Sequence, residues 1–110
     1  MDFFSYRLRF SKRGRERFLS HLDLVRLFSR ALRRADVPVR FSEGFTPRAA
    51  LSFPSALGIG LESVDEILDL ELSRDLPGDD LRSRLNAQLP EGVRILSAER
   101  FSRNERRRVE

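Results

Sequence analysis

Twenty of the 21 cationic side chains are arginines and the remaining one is Lys12. The chain's most abundant reactive group is therefore the planar guanidinium, which forks onto phosphate or carboxylate oxygens. Arg26, Arg30 and Arg33 recur at spacings of four and three, with Arg34 four beyond Arg30. On a helix these positions stack like charges one turn apart, each pair costing about 0.2–0.5 kcal/mol, which a polyanion or neighbouring acids would offset. Lys12, Arg13, Arg15 and Arg17 lie just ahead of that run. The combined set is spaced to follow a phosphate backbone, each neutralised phosphate adding about one unit of counterion-release slope. The competing expectation is a solvated face whose arginines are met by the acids of residues 62–80.

His21, the single histidine, sits beside Ser20. There an imidazole can contact phosphate or act as a general base toward a ribose hydroxyl, given a partner such as Asp23 or Lys12. The plainer expectation is a surface or capping histidine. Glu62, Asp65, Glu66, Asp69 and Glu71 offer the oxygen ligands that magnesium prefers, but alternating carboxylates on a strand read first as its wet face. The GIG at 58–60 lacks the further glycine and the strand-to-helix setting of a dinucleotide loop, so it reads as a turn. Zero cysteines exclude disulfides, zinc ribbons, iron–sulfur ligation and thiol catalysis by this chain, and one histidine excludes a multi-histidine metal centre. No cofactor or metal is expected.

These groups need elements to hold them. Residues 3–10 alternate, with Phe4, Tyr6, Leu8 and Phe10 on one face and Ser5, Arg7 and Arg9 on the other, a half-buried strand. SKRGRERF reads as a basic loop around Gly14. A helix is predicted from Ser20, whose hydroxyl forms a capping box with Asp23. Its apolar side is Val25, Phe28, Leu32 and Ala35, widened by Leu24, Leu27 and Ala31, and Asp36 and Pro38 end it. Val39–Phe41 and Leu51–Phe53 read as short extended pieces on either side of SEGFTPR. Residues 64–72 alternate again, with Leu68, Leu70 and Leu72 opposite Asp65, Asp69 and Glu71. After Pro77-Gly78, a second helix carries Leu81, Leu85 and Leu89 along one side, and a last strand runs from Val93 to about Phe101.

The order β, α, β, β, α, β is the split βαβ pattern of an α+β, ferredoxin-like domain, a mainly antiparallel sheet with two helices on one face. The third strand then lies beside the first, so Asp69 and Glu71 are expected across from Arg7 and Arg9. On that helix-free face Phe3 is the one aromatic in the first strand, too little for base readout by the sheet.

Residues 1–48 hold 12 basic against 5 acidic side chains, residues 49–99 hold 4 against 10, and the last eleven hold 5 against 2, for a net +4. Such a division predicts either an acidic partner for the basic part or neutralisation between the halves. At 110 residues, 40% hydrophobic and 35% charged, the chain fits one domain over residues 1–101 and a basic, flexible tail over 102–110. No apolar run long enough to span a membrane and no secretory leader pattern occurs, so a cytoplasmic location is expected.

The phrases RFSK, FLSHLDLVR, FSRALRRADVPV, SEGFTPR and LSFPSALGIGLES, in that order over residues 9–63, resemble the radical SAM-linked (radical SAM-associated) protein family, a domain of unknown function, and VDEILDLEL continues the likeness to residue 72. The resemblance implies an accessory domain joined to, or encoded beside, a radical SAM protein and in some bacteria near ribonuclease or ribosomal-protein genes. Family members commonly carry a basic residue in the proline-containing loop where this chain has Ala49 and Ala50, which leaves Arg48 as the loop's cation. Many members also extend well past residue 110, so residues after about 101 are expected to be a truncated or diverged remainder.

The resulting expectation is a non-catalytic accessory domain that binds RNA of the tRNA or rRNA class through Lys12, Arg13, Arg15, Arg17, His21, Arg26, Arg30, Arg33 and Arg48, working with a radical SAM protein. The alternatives are a protein-interaction module docking on that partner without RNA, and a small ribonuclease dependent on His21.

Overall fold

The alternation of FSYRLRFSK makes β1, Phe4–Lys12, with Tyr6, Leu8 and Phe10 fully buried on one face. In the computed structural model, which describes residues 3–41, 49–54 and 62–101, the other elements are α1 (His21–Arg34), β2 (Leu51–Ser52), β3 (Ser63–Leu72), α2 (Gly78–Asn86) and β4 (Val93–Arg100). The sheet order is β2-β3-β1-β4 and every pairing is antiparallel, the arrangement expected of a ferredoxin-like domain.

Both helices cover the same face of the sheet. Leu24, Phe28 and Leu32 of α1 and Leu81 and Leu85 of α2 join Tyr6, Leu8, Phe10, Leu68, Leu70, Leu72, Val93 and Ile95 in one core. Burying a Leu or Phe side chain contributes about 1.5–3 kcal/mol, so this cluster is the main favourable term in folding. Phe28 meets Phe10 edge-on at 5.1 Å, joining α1 to the central strand.

The ends of α1 are built as the sequence predicts. Ser20 Oγ accepts from Asp23 N–H at 3.1 Å, and Asp23 Oδ2 accepts from Ser20 N–H at 3.0 Å, closing the capping box. Leu19 before the cap and Leu24 in the first turn both reach the core, the contact that fixes the entry angle of a helix. At the other end Asp36 takes φ 55°. Asp36 N–H then bonds Arg33 O at 3.1 Å and Val37 N–H bonds Leu32 O at 3.0 Å, a Schellman termination with Asp in the position that glycine usually takes.

Two local features go beyond the expectation. The segment read as a basic loop is an extension of β1 to Lys12 followed by a 3-10 turn over Gly14–Phe18. Gly14 has φ 61°, a left-handed conformation that suits glycine. In β4 the register against β1 passes from Phe10↔Ile95 to Arg9↔Ser97, so Leu96 is an extra residue and the inward phase changes there. Val93 and Ile95 face the helices before the bulge, and Ser97 and Glu99 lie opposite Arg9 and Arg7 after it. Among the described residues no helix is long and apolar enough to cross a membrane.

Candidate nucleic-acid interface

The acids of the later half do pair with arginines, but among the described residues not with those of α1. Arg7 forks onto Asp69, Nε to Oδ1 at 2.8 Å and Nη2 to Oδ2 at 2.7 Å, directly across the β1–β3 register. The Asp69 carboxylate is almost fully buried, and its hydrogen bonds raise the Arg7 guanidinium above its ordinary pKa. Arg9 bonds Asp65 at 2.7 Å, and Glu71 sits opposite Ser5 and takes Arg40 at 2.7 Å. The expectation that Glu71 faces Arg9 is therefore corrected. The antiparallel register that sets Arg7 opposite Asp69 sets Arg9 opposite the apolar Ile67, so Arg9 bonds Asp65, two residues along β3, instead. Asp75 takes Arg100 at 2.8 Å, while Asp79 and Asp80 pair within α2 with Arg82 and Arg84.

The helix-free face is thus a neutralised charge lattice. Among the described residues Phe101, outside the first strand, joins Phe3 there, and each ring lies against a guanidinium: Phe3 4.4 Å from Arg40 and Phe101 4.9 Å from Arg7. Both rings are half-buried, so little of either is open to a base.

The arginines of α1 stand apart from this lattice. Arg26, Arg30, Arg33 and Arg34 are exposed, and among the described residues none forms an ion pair with a carboxylate. The single acid within the helix is Asp23, whose carboxylate is committed to the capping box and lies below its ordinary pKa chiefly because Ser20 N–H donates to it, with a smaller contribution from the charge of Arg26. Arg30 and Arg34 also wall a cleft of about 360 Å³ between α1 and the chain after α2, floored by Leu27, Ala31 and Leu89.

The connector ahead of α1 is fixed by backbone bonds. Arg13 N–H donates to Gly92 O at 2.8 Å, Gly92 N–H to Glu16 Oε1 at 3.0 Å, and Gly14 N–H to Glu62 Oε2 at 2.9 Å. Arg13 and Arg15 are exposed on it, and Arg17 donates to Gly14 O at 3.0 Å while its guanidinium lies 4.4 Å from the Phe18 ring centroid.

Lys12 differs from its neighbours. It is 1% exposed and its ammonium donates to Leu19 O at 3.0 Å, holding the carbonyl just before the helix cap. It therefore leaves the expected contact surface and acts as an internal tether. The cause is parity: Lys12 continues the inward-facing series of Tyr6, Leu8 and Phe10. Arg48, with the rest of 42–48, lies outside the described residues.

His21 opens α1, is exposed, and meets Phe53 edge-on at 5.4 Å. Phe53 in turn contacts Phe10 and Phe28. The two partners considered for proton transfer are engaged elsewhere, Asp23 with Ser20 and Lys12 with Leu19. Among the described residues no group of acids and histidine is arranged to hold a metal ion.

Phe18, 57% exposed, and Leu22, 53% exposed, were not singled out by sequence reasoning. Their signal is present in RFLSHLDL, where Leu19 and Leu24 serve the core and Phe18 and Leu22 fall off its phase.

A family model described as "Uncharacterized protein conserved in bacteria" (DUF2344) matches residues 5–109. Among curated proteins none matches the chain.

Proposed function

This chain belongs to the bacterial DUF2344 family, and from that premise we propose that it is a non-catalytic accessory domain that binds RNA of the tRNA or rRNA class beside a radical SAM enzyme. The observation that carries the RNA reading is the division of the arginines. Asp65, Asp69, Glu71, Asp75, Asp79 and Asp80 are used by Arg9, Arg7, Arg40, Arg100, Arg82 and Arg84, while among the described residues the α1 row forms no ion pair and only Arg26 has a carboxylate nearby, the capping Asp23. A row of like charges held one turn apart gains most from a partner whose own charges are evenly spaced, and a phosphate backbone is such a partner. Arg13, Arg15, Arg17 and His21 border the row at its start. The radical SAM partner is what the resemblance of the phrases over residues 9–63 to the radical SAM-linked family implies.

The test is filter binding of a structured RNA at low salt. The expected outcome is binding that Arg30→Glu weakens about tenfold. Affinity no better than for a neutral polymer rejects the reading. Co-purification with a radical SAM protein that survives nuclease treatment and is lost in Arg30→Glu, without RNA affinity, identifies a protein-docking module. RNA breakdown that stops in His21→Ala identifies a nuclease.

A further inference from the structure

Phe18 and Leu22 are large apolar side chains left more than half exposed within five residues, at the corner where the 3-10 turn meets α1. The surrounding charge is net cationic: Arg15 and Arg17 precede Phe18 and Arg26 follows Leu22 by one helical turn, while the acids Glu16 and Asp23 accept from Gly92 N–H and Ser20 N–H. The ring of Phe18 does not join the core. Its observed companion is the Arg17 guanidinium at 4.4 Å, itself steadied by Gly14 O at 3.0 Å. The corner is also held in place, because Lys12 pins Leu19 O, Glu16 accepts from Gly92, and the capping box fixes the first turn. A rigid aromatic ring beside a planar cation, with further arginines leading away from it, matches the way single-stranded nucleic acid is bound: a base stacks while the backbone follows the charges.

We infer that Phe18 and Arg17 form a stacking platform for an unpaired base, so that the α1 surface selects single-stranded or loop RNA over duplex. The inference rests on the RNA reading above and deepens it. A duplex keeps its bases stacked on one another and offers the corner only phosphates. An unpaired nucleotide can place its base on the Phe18–Arg17 pair while its phosphates reach Arg26 and Arg30. Charge complementarity favours RNA as the occupant over an apolar protein surface, which would have to desolvate Arg15, Arg17 and Arg26 to reach Phe18.

The chain contains no tryptophan, so Phe18→Trp installs a single fluorescent reporter at the platform. Titration with a mixed-sequence single-stranded oligoribonucleotide, and with the same strand annealed to its complement, reads stacking directly. The expected result is saturable quenching by the single strand well beyond that by the duplex. In parallel, Phe18→Ala is expected to weaken single-strand affinity about tenfold and leave duplex affinity and the thermal midpoint unchanged, as stacking on an exposed ring predicts. RNA binding without quenching, together with unchanged affinity in Phe18→Ala, overturns the platform and leaves the RNA reading standing. Absence of RNA binding in the unmodified protein overturns both, and loss of a nuclease-resistant protein complex in Phe18→Ala would then assign the corner to a protein partner.

Discussion

At the scale of single residues, the same guanidinium group has three fates set by its neighbours. Arg7 forks onto a carboxylate that is almost fully buried, Arg9 meets Asp65 in solvent, and Arg30 meets no carboxylate among the described residues. Removing Arg7 takes two charge-assisted hydrogen bonds from Asp69, so Arg7→Ala is expected to cost on the order of 3 kcal/mol in urea unfolding. Arg9→Ala breaks an exposed pair and is expected to cost less than about 1 kcal/mol. Equal losses for the two variants would contradict this distinction. The Arg7–Asp69 pair was legible in the sequence, because two alternating strands placed side by side leave their polar faces in register. The Arg9–Asp65 and Arg40–Glu71 pairs were not, since Arg9 sits opposite Ile67 and pairs two residues along β3, and Arg40 comes from the segment after α1 that runs beside β3, neither of which periodicity encodes. The burial of Lys12 was legible in principle, from its even position in β1, but its basic neighbours obscured it.

At the scale of elements, α1 was readable almost to the residue because its signals agree: the Ser20–Asp23 box, one apolar side and an abrupt stop at Asp36-Val37-Pro38. Asp23 is held below its ordinary pKa in the folded helix, and Asp75 is too, chiefly through the hydrogen bond from Tyr6. The unfolded chain therefore binds more protons than the folded one as pH falls through the carboxylate range. Stability from these groups is complete above that range and is lost below it. Urea midpoints should fall between pH 6 and pH 3, and Asp23→Asn should flatten part of that fall. A pH dependence identical to that of the unmodified protein would show that the capping box contributes nothing. The tie between the 3-10 turn and β4 is equally specific, because a Cβ on Gly92 would meet the Glu16 carboxylate and the Arg13 carbonyl. Gly92→Ala is expected to cost about 1–3 kcal/mol by thermal melting. An unchanged melting curve would mean that the connector is free to shift. This tie and the Leu96 bulge lay beyond sequence reading, since both arise from how separate strands meet.

At the scale of the whole molecule, the fold sorts charge. The order β2-β3-β1-β4 places acidic β3 beside the arginines of β1, which neutralises the open face of the sheet and leaves the outer side of α1 as the cationic surface. The split of charge along the chain announced this sorting only in outline. Which arginines would be neutralised depended on strand neighbours, not on totals. Core integrity underlies the surface: Phe28→Ala, which removes the ring joining α1 to Phe10, is expected to cost about 3–5 kcal/mol. The most direct measurement is RNA affinity across a salt series for the unmodified protein and for the triple Arg26→Ala, Arg30→Ala, Arg33→Ala variant. The logarithm of affinity should fall linearly with the logarithm of salt concentration, and the variant's slope should be shallower by roughly two to three units. Affinity indifferent to salt, or a slope that the triple variant leaves unchanged, would contradict an α1 surface built for a phosphate backbone.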